Sequence, residues 1–394
     1  MTDMIKKAFE YIDSNKAETL KLWEELVNLE GKVDEPELVM LVSERIAKEM
    51  DSMGVSNKVI DVGGGKAGTL VGILGEERKS KPVIFGGHMD TVFKKGEFGG
   101  ENPFKIEDGK AYGPGALDMK GGITIALLVA KALTYAGYNE RPIKFIFSGD
   151  EENGHKGSIG GKVMTEEGAG GICAFNMETG PINNSLCTSR STSIRVTANV
   201  KGVSAHAGNN FTAGRNAVVE AAHKLLAMET LTKLEEGTTC NPAVINGGTI
   251  VNSVPDSCKV QFDIRVKTHS EQKRVLAAIK EILEKPVVDG TSVEYEVDQS
   301  NLVIYFNTDE VKRFFEFVNK AAKKHGFEEF GQTYLGGSSD AGNIVMGGTP
   351  AICSFGVRGE WNHTQREYAV VESLFERAKI IAAVICEMEG LEKL

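Results

Sequence analysis

The sequence predicts an α/β protein in which a mostly parallel central sheet, flanked by helices, is interrupted by an inserted α+β module. Three observations carry this. In the first half, short apolar runs alternate with helical stretches, the pattern of strands buried on both faces. From about Ser189 the strands become one-sided, with polar and apolar residues alternating. Beyond about Leu302 the helix-and-strand pattern resumes. A chain of 394 residues is also too long for one ordinary core. The expected organisation is a first domain over residues 1–188, an insertion over 189–302, and the return of the first domain over 303–394.

Taken in order, the first thirty residues set apolar side chains at helical spacing among charges, so they read as amphipathic helix and not as a signal peptide. NKVIDV, TLVGILG and KPVIFGG follow as strands. Gly63, Gly64 and Gly65 join two of them and lack the GxxxxGK[ST] spacing of a phosphate loop, so a hairpin turn is expected. A helix from Lys120 to Ala136 precedes the buried strands RPIKFIFSG and GGICAFNMET. The insertion reads as β-α-β-α-β: STSIRVTANVKG, a helix from Gly214 to Leu231, CKVQFDIRVKT, a helix from Ser270 to Glu284, and SVEYEV. A helix from Asp309 to His325, the strand TPAICSFG and a last helix from Tyr368 complete the chain, with no internal repeat.

Composition narrows the function. With 41% apolar and 25% charged residues the chain is an ordinary globular protein. A formal charge of -10 and the absence of a Lys/Arg block argue against nucleic acid or an anionic membrane as partner. Six cysteines (Cys173, Cys187, Cys240, Cys258, Cys353 and Cys386) are scattered without a CxxC pair, as expected of buried thiols in a reducing compartment. No apolar run reaches membrane length, so a cytoplasmic location is expected.

Five places carry metal-binding residue types: His88 and Asp90 in GGHMDTVF, Asp118 in GPGALDMKGG, Glu151 and Glu152 in SGDEENG, Glu178 in NMETG, and His363 in NHTQREY. Three of them follow apolar strands, at the carboxyl edge where parallel sheets bind ligands. Imidazole and carboxylate without thiolate favour zinc, with cobalt or manganese as substitutes. A cocatalytic pair lies about 3.5–4 Å apart and needs one group touching both ions. Asp118 is the expected bridge, with His88 and Glu178 completing one site and Glu152 and His363 the other. Neighbours at a strand end point to opposite sides, which leaves Glu151 as a general base. Asp90, two residues after His88, is expected to accept the other imidazole N–H and fix the tautomer. His155, His223, His269 and His325 are assigned no role.

Together, HMDTVF, NPFKIEDGKAYGPGALDMKGG, SGDEENG, METG, GVSAHAG, NSVPD, DIR and GGSSDAG resemble the cocatalytic zinc peptidase family. That family includes bacterial glutamate carboxypeptidase, acetylornithine deacetylase, succinyl-diaminopimelate desuccinylase, aminoacylase and the tripeptide-cleaving peptidase T. The similarity covers nearly the whole chain, and the stretch from His88 to Gly122 is nearest the glutamate carboxypeptidase branch. By resemblance, the outer segments form a zinc-exopeptidase-like domain holding two zinc ions, and the insertion is a ferredoxin-like lid that also makes a homodimer. The motifs give the ligands, Glu151 and Asp90 the same roles as above. The resemblance further implies that His206 reaches the partner subunit's active site to polarise the scissile carbonyl. It implies that Asn252 and Arg265 hold the substrate carboxylate, and that the loop from Gly336 to Gly342, with Gly337, Ser338 and Ser339, lines the pocket.

Two departures matter. Where the glutamate carboxypeptidase pattern has a second Asp after the bridging one, this chain has Met119; family members often hold that peptide bond cis, so a cis Asp118–Met119 bond is expected. GEWNHTQREYA around His363 also differs, which argues against folate-type substrates. The resulting expectation is hydrolysis of a peptide or N-acyl amide bond next to a free carboxylate, on a small peptide or N-acyl amino acid. An aminopeptidase or tripeptidase is the alternative. A metal-stabilised binding protein without catalysis is the alternative of another class, and its signature would be a missing base or a broken ligand set.

Overall fold

The apolar runs of the first half line up in one six-stranded sheet, in the order Ser56–Ile60, Ala67–Leu74, Ile143–Gly149, Val83–His88, Cys173–Asn176 and Ala351–Ile352. The last four are parallel to one another, and the first two are an antiparallel hairpin added at one edge. Val83–His88 is buried at every position, as a central parallel strand must be. Its Phe85 stacks between Phe145 and Phe175, each with ring centroids 5.7 Å away. At the hairpin, Gly63, Gly64 and Gly65 all take positive φ (71°, 64° and 65°). A side chain at Gly64 would in addition meet the Gly157 carbonyl at 2.1 Å, so the turn demands glycine twice over.

The computed structural model describes residues 2–190, 192–298, 305 and 307–392 of the chain. By internal contacts it forms two units: Met1–Ser189 with Asn307–Leu335 and Ser339–Leu394, and Arg190–Phe306 with Gly336–Ser338. The expected junction near Leu302 lies outside the described residues. In the first unit the Gly121–Ala136 helix touches the Val83–His88 strand as well as the helices Asp3–Ser14 and Val371–Cys386. Packed on several sides, it is buried along nearly its whole length, and its sequence is accordingly apolar all round.

The second unit is β-α-β-β-α-β, built from Thr192–Lys201, Ala217–Glu229, Thr239–Gly247, Ser257–Val266, His269–Glu284 and Ser292–Asp298. Its antiparallel sheet runs in the order Thr239–Gly247, Ser257–Val266, Thr192–Lys201, Ser292–Asp298, the ferredoxin-like arrangement. Along Ser257–Val266, the alternate residues Cys258, Val260, Phe262, Ile264 and Val266 are buried in the core. That period of two is what a sheet covered on one face requires.

Several expectations need correction. The expected β-α-β-α-β block omits Thr239–Gly247, because Asn241, Pro242 and Gly247 are poor strand residues. The strand lies at the sheet edge with a register shift between Pro242 and Val244, which is where a proline is tolerated. Tyr368 does not open the last helix: Tyr368–Val370 pairs with Arg358–Glu360 and Lys110–Tyr112, and the helix is Val371–Cys386. The helix expected from Lys120 begins at Gly121, since Asp118 and Met119 depart from helical backbone angles. TPAICSFG contracts to Ala351–Ile352, and a Gly160–Glu167 helix, hidden by its leading glycine pair, was not foreseen. None of the six cysteines is in a disulfide, and five of them are buried. No helix among the described residues is long and apolar enough to cross a membrane.

Candidate active site

Three neighbouring parallel strands end at one sheet edge, and each delivers acid or imidazole. His88 is the last residue of Val83–His88, Glu151 and Glu152 form a single turn after Ile143–Gly149, and Glu178 follows Cys173–Asn176 by two residues. Asp118 comes from the irregular Ala116–Lys120 turn, where the Asp118–Met119 bond is cis as expected. His363 sits at φ 62° in the loop between Arg358–Glu360 and Tyr368–Val370.

These side chains converge. His88 Nε2 is 3.3 Å from Asp118 Oδ1 and 3.9 Å from Glu178 Oε1. His363 Nε2 is 3.3 Å from Asp118 Oδ2 and 3.1 Å from Glu152 Oε2. The two oxygens of Asp118 therefore face two different imidazoles. Donors bound to a tetrahedral zinc at about 2.0–2.2 Å lie roughly 3.3–3.6 Å from one another. Three of the four contacts fall at or just under that spacing, and the Glu178 contact is slightly longer. Asp118 Oδ1 and Glu152 Oε1 are buried without a hydrogen-bond donor of good geometry, although His88 lies near the former. An oxygen-and-nitrogen set with orphaned buried acceptors fits divalent cations. Ligand atoms of His88, Asp118 and Glu152 lie within 4.8 Å of one another, and so do those of His88, Glu151 and Glu178. Glu151 and Glu152 thus fall into different groups of potential ligands that share His88.

Electrostatics agree. Burial opposes a charged His88 ring, yet hydrogen bonds to Asp118 and Asp90 and the charge of Glu178 lift its pKa well above 6.5. Hydrogen bonds to Asp118 and Glu152 raise His363 to about 11. Burial pushes Glu151 well above the ordinary carboxylate value; His88 pulls it down, and Glu178 and Asp340 push it further up. A pocket that holds protons this firmly on its imidazoles offers the same attraction to a metal cation, which takes neutral imidazole as ligand.

The supports around the cluster differ in part from expectation. The nearest acceptor to His88 Nδ1 is the Asp90 backbone carbonyl at 3.0 Å, with the carboxylate Oδ1 at 3.4 Å. The Asp90 carboxylate also accepts the backbone N–H of Glu151 (3.3 Å) and of Glu152 (3.0 Å), so it holds the acidic turn as well. Glu367, which sequence reasoning missed, accepts from Leu117 N (2.9 Å) and Asp118 N (3.3 Å). Burial, with the Asp118 charge, pushes Glu367 up to about 8. Asn362 Nδ2 donates to Asp118 Oδ2 at 3.2 Å. Lys120 is fully buried, its amine donates to the Glu30 carbonyl, and burial brings its pKa down to about 7. The only sequence signals for these groups were charged residues inside otherwise apolar or motif stretches.

The remaining expected residues lie elsewhere. Ser339, in the first unit, accepts from Asn176 Nδ2 at 3.0 Å. In the second unit His206 pairs with Ser253, and Asn252 O accepts from Ala207 N at 2.9 Å, so His206 and Asn252 are close neighbours. His206 Nδ1 accepts from Gly208 N (3.2 Å) and Asn209 N (3.1 Å), which leaves Nε2 as the ring N–H. Arg265 Nε binds Asp263 Oδ2 at 3.1 Å, and its Nη1 donates to Gly336 O at 3.2 Å. Arg190 Nη1 donates to Gly337 O (3.4 Å) and Ser338 O (3.0 Å).

Comparison with known proteins places this geometry in a family. Carboxypeptidase G2 of Pseudomonas sp. (strain RS-16) is 27% identical over 395 residues, 96% of this chain and 91% of that protein. Succinyl-diaminopimelate desuccinylase of Rickettsia bellii (strain OSU 85-389) is 29% identical over 323 residues, 75% of this chain and 78% of that protein. The crystal structure of aminopeptidase PepT from Bacillus cereus ATCC 10987 matches with a TM-score of 0.81 at 25% identity, covering 95% of this chain and 99% of that one. The profile of peptidase family M20/M25/M40 matches residues 84–387, a span that takes in every member of the acid and imidazole cluster. On that match the chain belongs to peptidase family M20/M25/M40 and is a hydrolytic metallopeptidase.

Proposed function

We propose that this metallopeptidase hydrolyses a peptide or N-acyl amide bond next to a free carboxylate, with Glu151 as general base. The observation that carries the reading is Asp118, whose two oxygens lie 3.3 Å from His88 and 3.3 Å from His363. A carboxylate so placed suits a bridge between two cations. His88 and Glu178 would hold one ion, and Glu152 and His363 the other; zinc is the preferred metal, with cobalt or manganese as substitutes. Asp118, Glu152 and Glu178 offset three of the four positive charges, so that little buried charge is left uncompensated.

Bound divalent ions would polarise the scissile carbonyl and lower the pKa of a water to about 7. Glu151 takes the proton of the attacking water and returns it to the leaving nitrogen. Asp90 and Glu367 hold the backbone on which Glu151, Glu152 and Asp118 stand. His206, with its proton on Nε2, is suited to donate to a substrate carbonyl in the partner subunit. Arg265 and Asn252 would hold the substrate carboxylate, and the backbone around Gly337, Ser338 and Ser339 would line the pocket.

A homodimer through the second unit, acting also as a lid, is supported by its edge strand Thr239–Gly247. Among the described residues that strand has one neighbour in the sheet, and its Val244 and Ile245 are exposed. Cysteines outside any disulfide suit a cytoplasmic setting.

A second reading, an aminopeptidase or tripeptidase, is favoured by the likeness to the PepT structure. Arg265 does not separate the two, because short peptides carry both termini. A panel of N-acyl amino acids and free-amine dipeptides, with zinc, cobalt and manganese each added to stripped protein, decides. Cleavage of acylated substrates supports the first reading; cleavage of free-amine peptides alone replaces it with the second.

A further inference from the structure

His155 lies outside the cluster of ligands, three residues after Glu152, yet it is the centre of a buried polar network. Its Nδ1 is 2.7 Å from Asp150 Oδ1 and its Nε2 is 2.8 Å from Asp340 Oδ1. Both aspartates are buried, and their other contacts are donors: Ser158 Oγ donates to Asp150 Oδ2, Ser148 Oγ to Asp340 Oδ2 at 2.6 Å, and Asn343 Nδ2 to Asp340 Oδ1 at 3.0 Å. Burial works against the charge of Asp340, yet His155 and the Ser148 and Asn343 donors hold it below the ordinary carboxylate value. A neutral imidazole can donate from one nitrogen only and would set a lone pair against the second carboxylate. The ring must therefore carry both protons. Asp150 and Asp340 are the charged groups that face it; burial works against its charge, and they outweigh burial, holding the pKa well above 6.5.

The backbone is shaped around this ring. His155 itself takes φ 58°, and its N–H donates back to Asp150 O at 3.1 Å. At Gly160 a side chain would meet Asp150 Oδ1 at 2.4 Å and His155 Nδ1 at 2.6 Å, so glycine alone lets the helix begin there. We propose that His155 is a positioning residue, an imidazolium clamp that ties the Asp150–Glu152 turn to the Asp340 turn and so fixes the direction of Glu151 and Glu152. The turn is then gripped from two sides, by Asp90 on the Glu151 and Glu152 amides and by His155 on Asp150. Without the ring, Asp150 and Asp340 would be two buried acids with no cation between them, and their repulsion would move the turn. The proposal rests on the roles given above to Glu151 and Glu152.

Two measurements test it. Histidine-specific nitrogen NMR on the unmodified protein at about pH 8, well above the ordinary histidine value of about 6.5, should show both His155 nitrogens protonated, with and without added zinc. A neutral ring overturns the clamp, and this holds whichever substrate the enzyme takes, or none. In kinetics at saturating zinc, His155→Gln should lower kcat about 10- to 100-fold with KM little changed, as expected when a positioning group is lost. Adding Asp340→Asn should recover part of that loss, because it removes the unmatched buried charge. Unchanged kcat in a folded His155→Gln protein overturns the positioning role. If the variant does not fold, the NMR result on the unmodified protein decides.

Discussion

The two units treat buried charge in opposite ways. In the second, Glu220 and Lys224 pair one helical turn apart at 2.9 Å, and Glu220 also accepts the N–H groups of Val287 and Val288 at 2.9 and 2.6 Å. Glu271 is matched by Arg274 at 2.6 Å and by Thr238. Its charges close on themselves. In the first unit, Asp118, Glu151, Glu152 and Glu178 crowd two imidazoles, and two of their oxygens lack a donor of good geometry among the described residues. All seven non-glycine residues with positive φ among the described residues, His155 and His363 included, also lie in this unit. The lesson is that regular patterning suffices for the second unit, whereas the first is bent to a purpose that needs cations from outside to complete it.

The contrast breaks most visibly at Asp118. Asp118→Ala should leave the purified protein with well under the two ions per chain expected of the unaltered enzyme and with activity below detection, read by elemental analysis and turnover. Glu151→Gln should lower kcat by about 100- to 10,000-fold, the range for loss of a general base, while both ions stay bound. Glu367→Leu strands the Leu117 and Asp118 N–H groups, so ion affinity should fall about 10- to 100-fold in a competition titration.

The second unit supplies the control. Ile264→Ala, in its core, should cost about 2–5 kcal/mol in denaturant unfolding while leaving ion content per folded chain unchanged. The smallest effect is at Glu271, which its hydrogen bond to Arg274 lowers to about 2. A depressed folded pKa contributes stability above the ordinary value of 4.5 and loses it as pH falls toward about 2. Glu271→Gln should therefore lower stability modestly at neutral pH, flatten the acid limb of the stability curve, and converge on the unaltered protein near pH 2, as read by denaturant unfolding across pH.

Much of this was legible in the sequence because the chemistry follows the strands. His88, Glu151, Glu152 and Glu178 stand directly after apolar runs, so reading the runs locates the residues. The supports were not legible, because they act across the chain. Glu367 holds Leu117 from 250 residues away, and Asp340 meets His155 across 185. Asp90 was expected beside His88, where its Oδ1 lies 3.4 Å from Nδ1, but its second hold, on the Glu151 and Glu152 amides, was not legible. In the second unit the Thr239–Gly247 strand escaped for a local reason, the proline that only an edge strand admits.

The claim beneath all of this is that Asp118 stands between two ions. Anomalous X-ray scattering from zinc-soaked crystals tests it most directly. The account predicts two peaks about 3.5–4 Å apart, one on His88 and Glu178, the other on Glu152 and His363, with one Asp118 oxygen on each. A single peak, or two peaks that do not share Asp118, would contradict it.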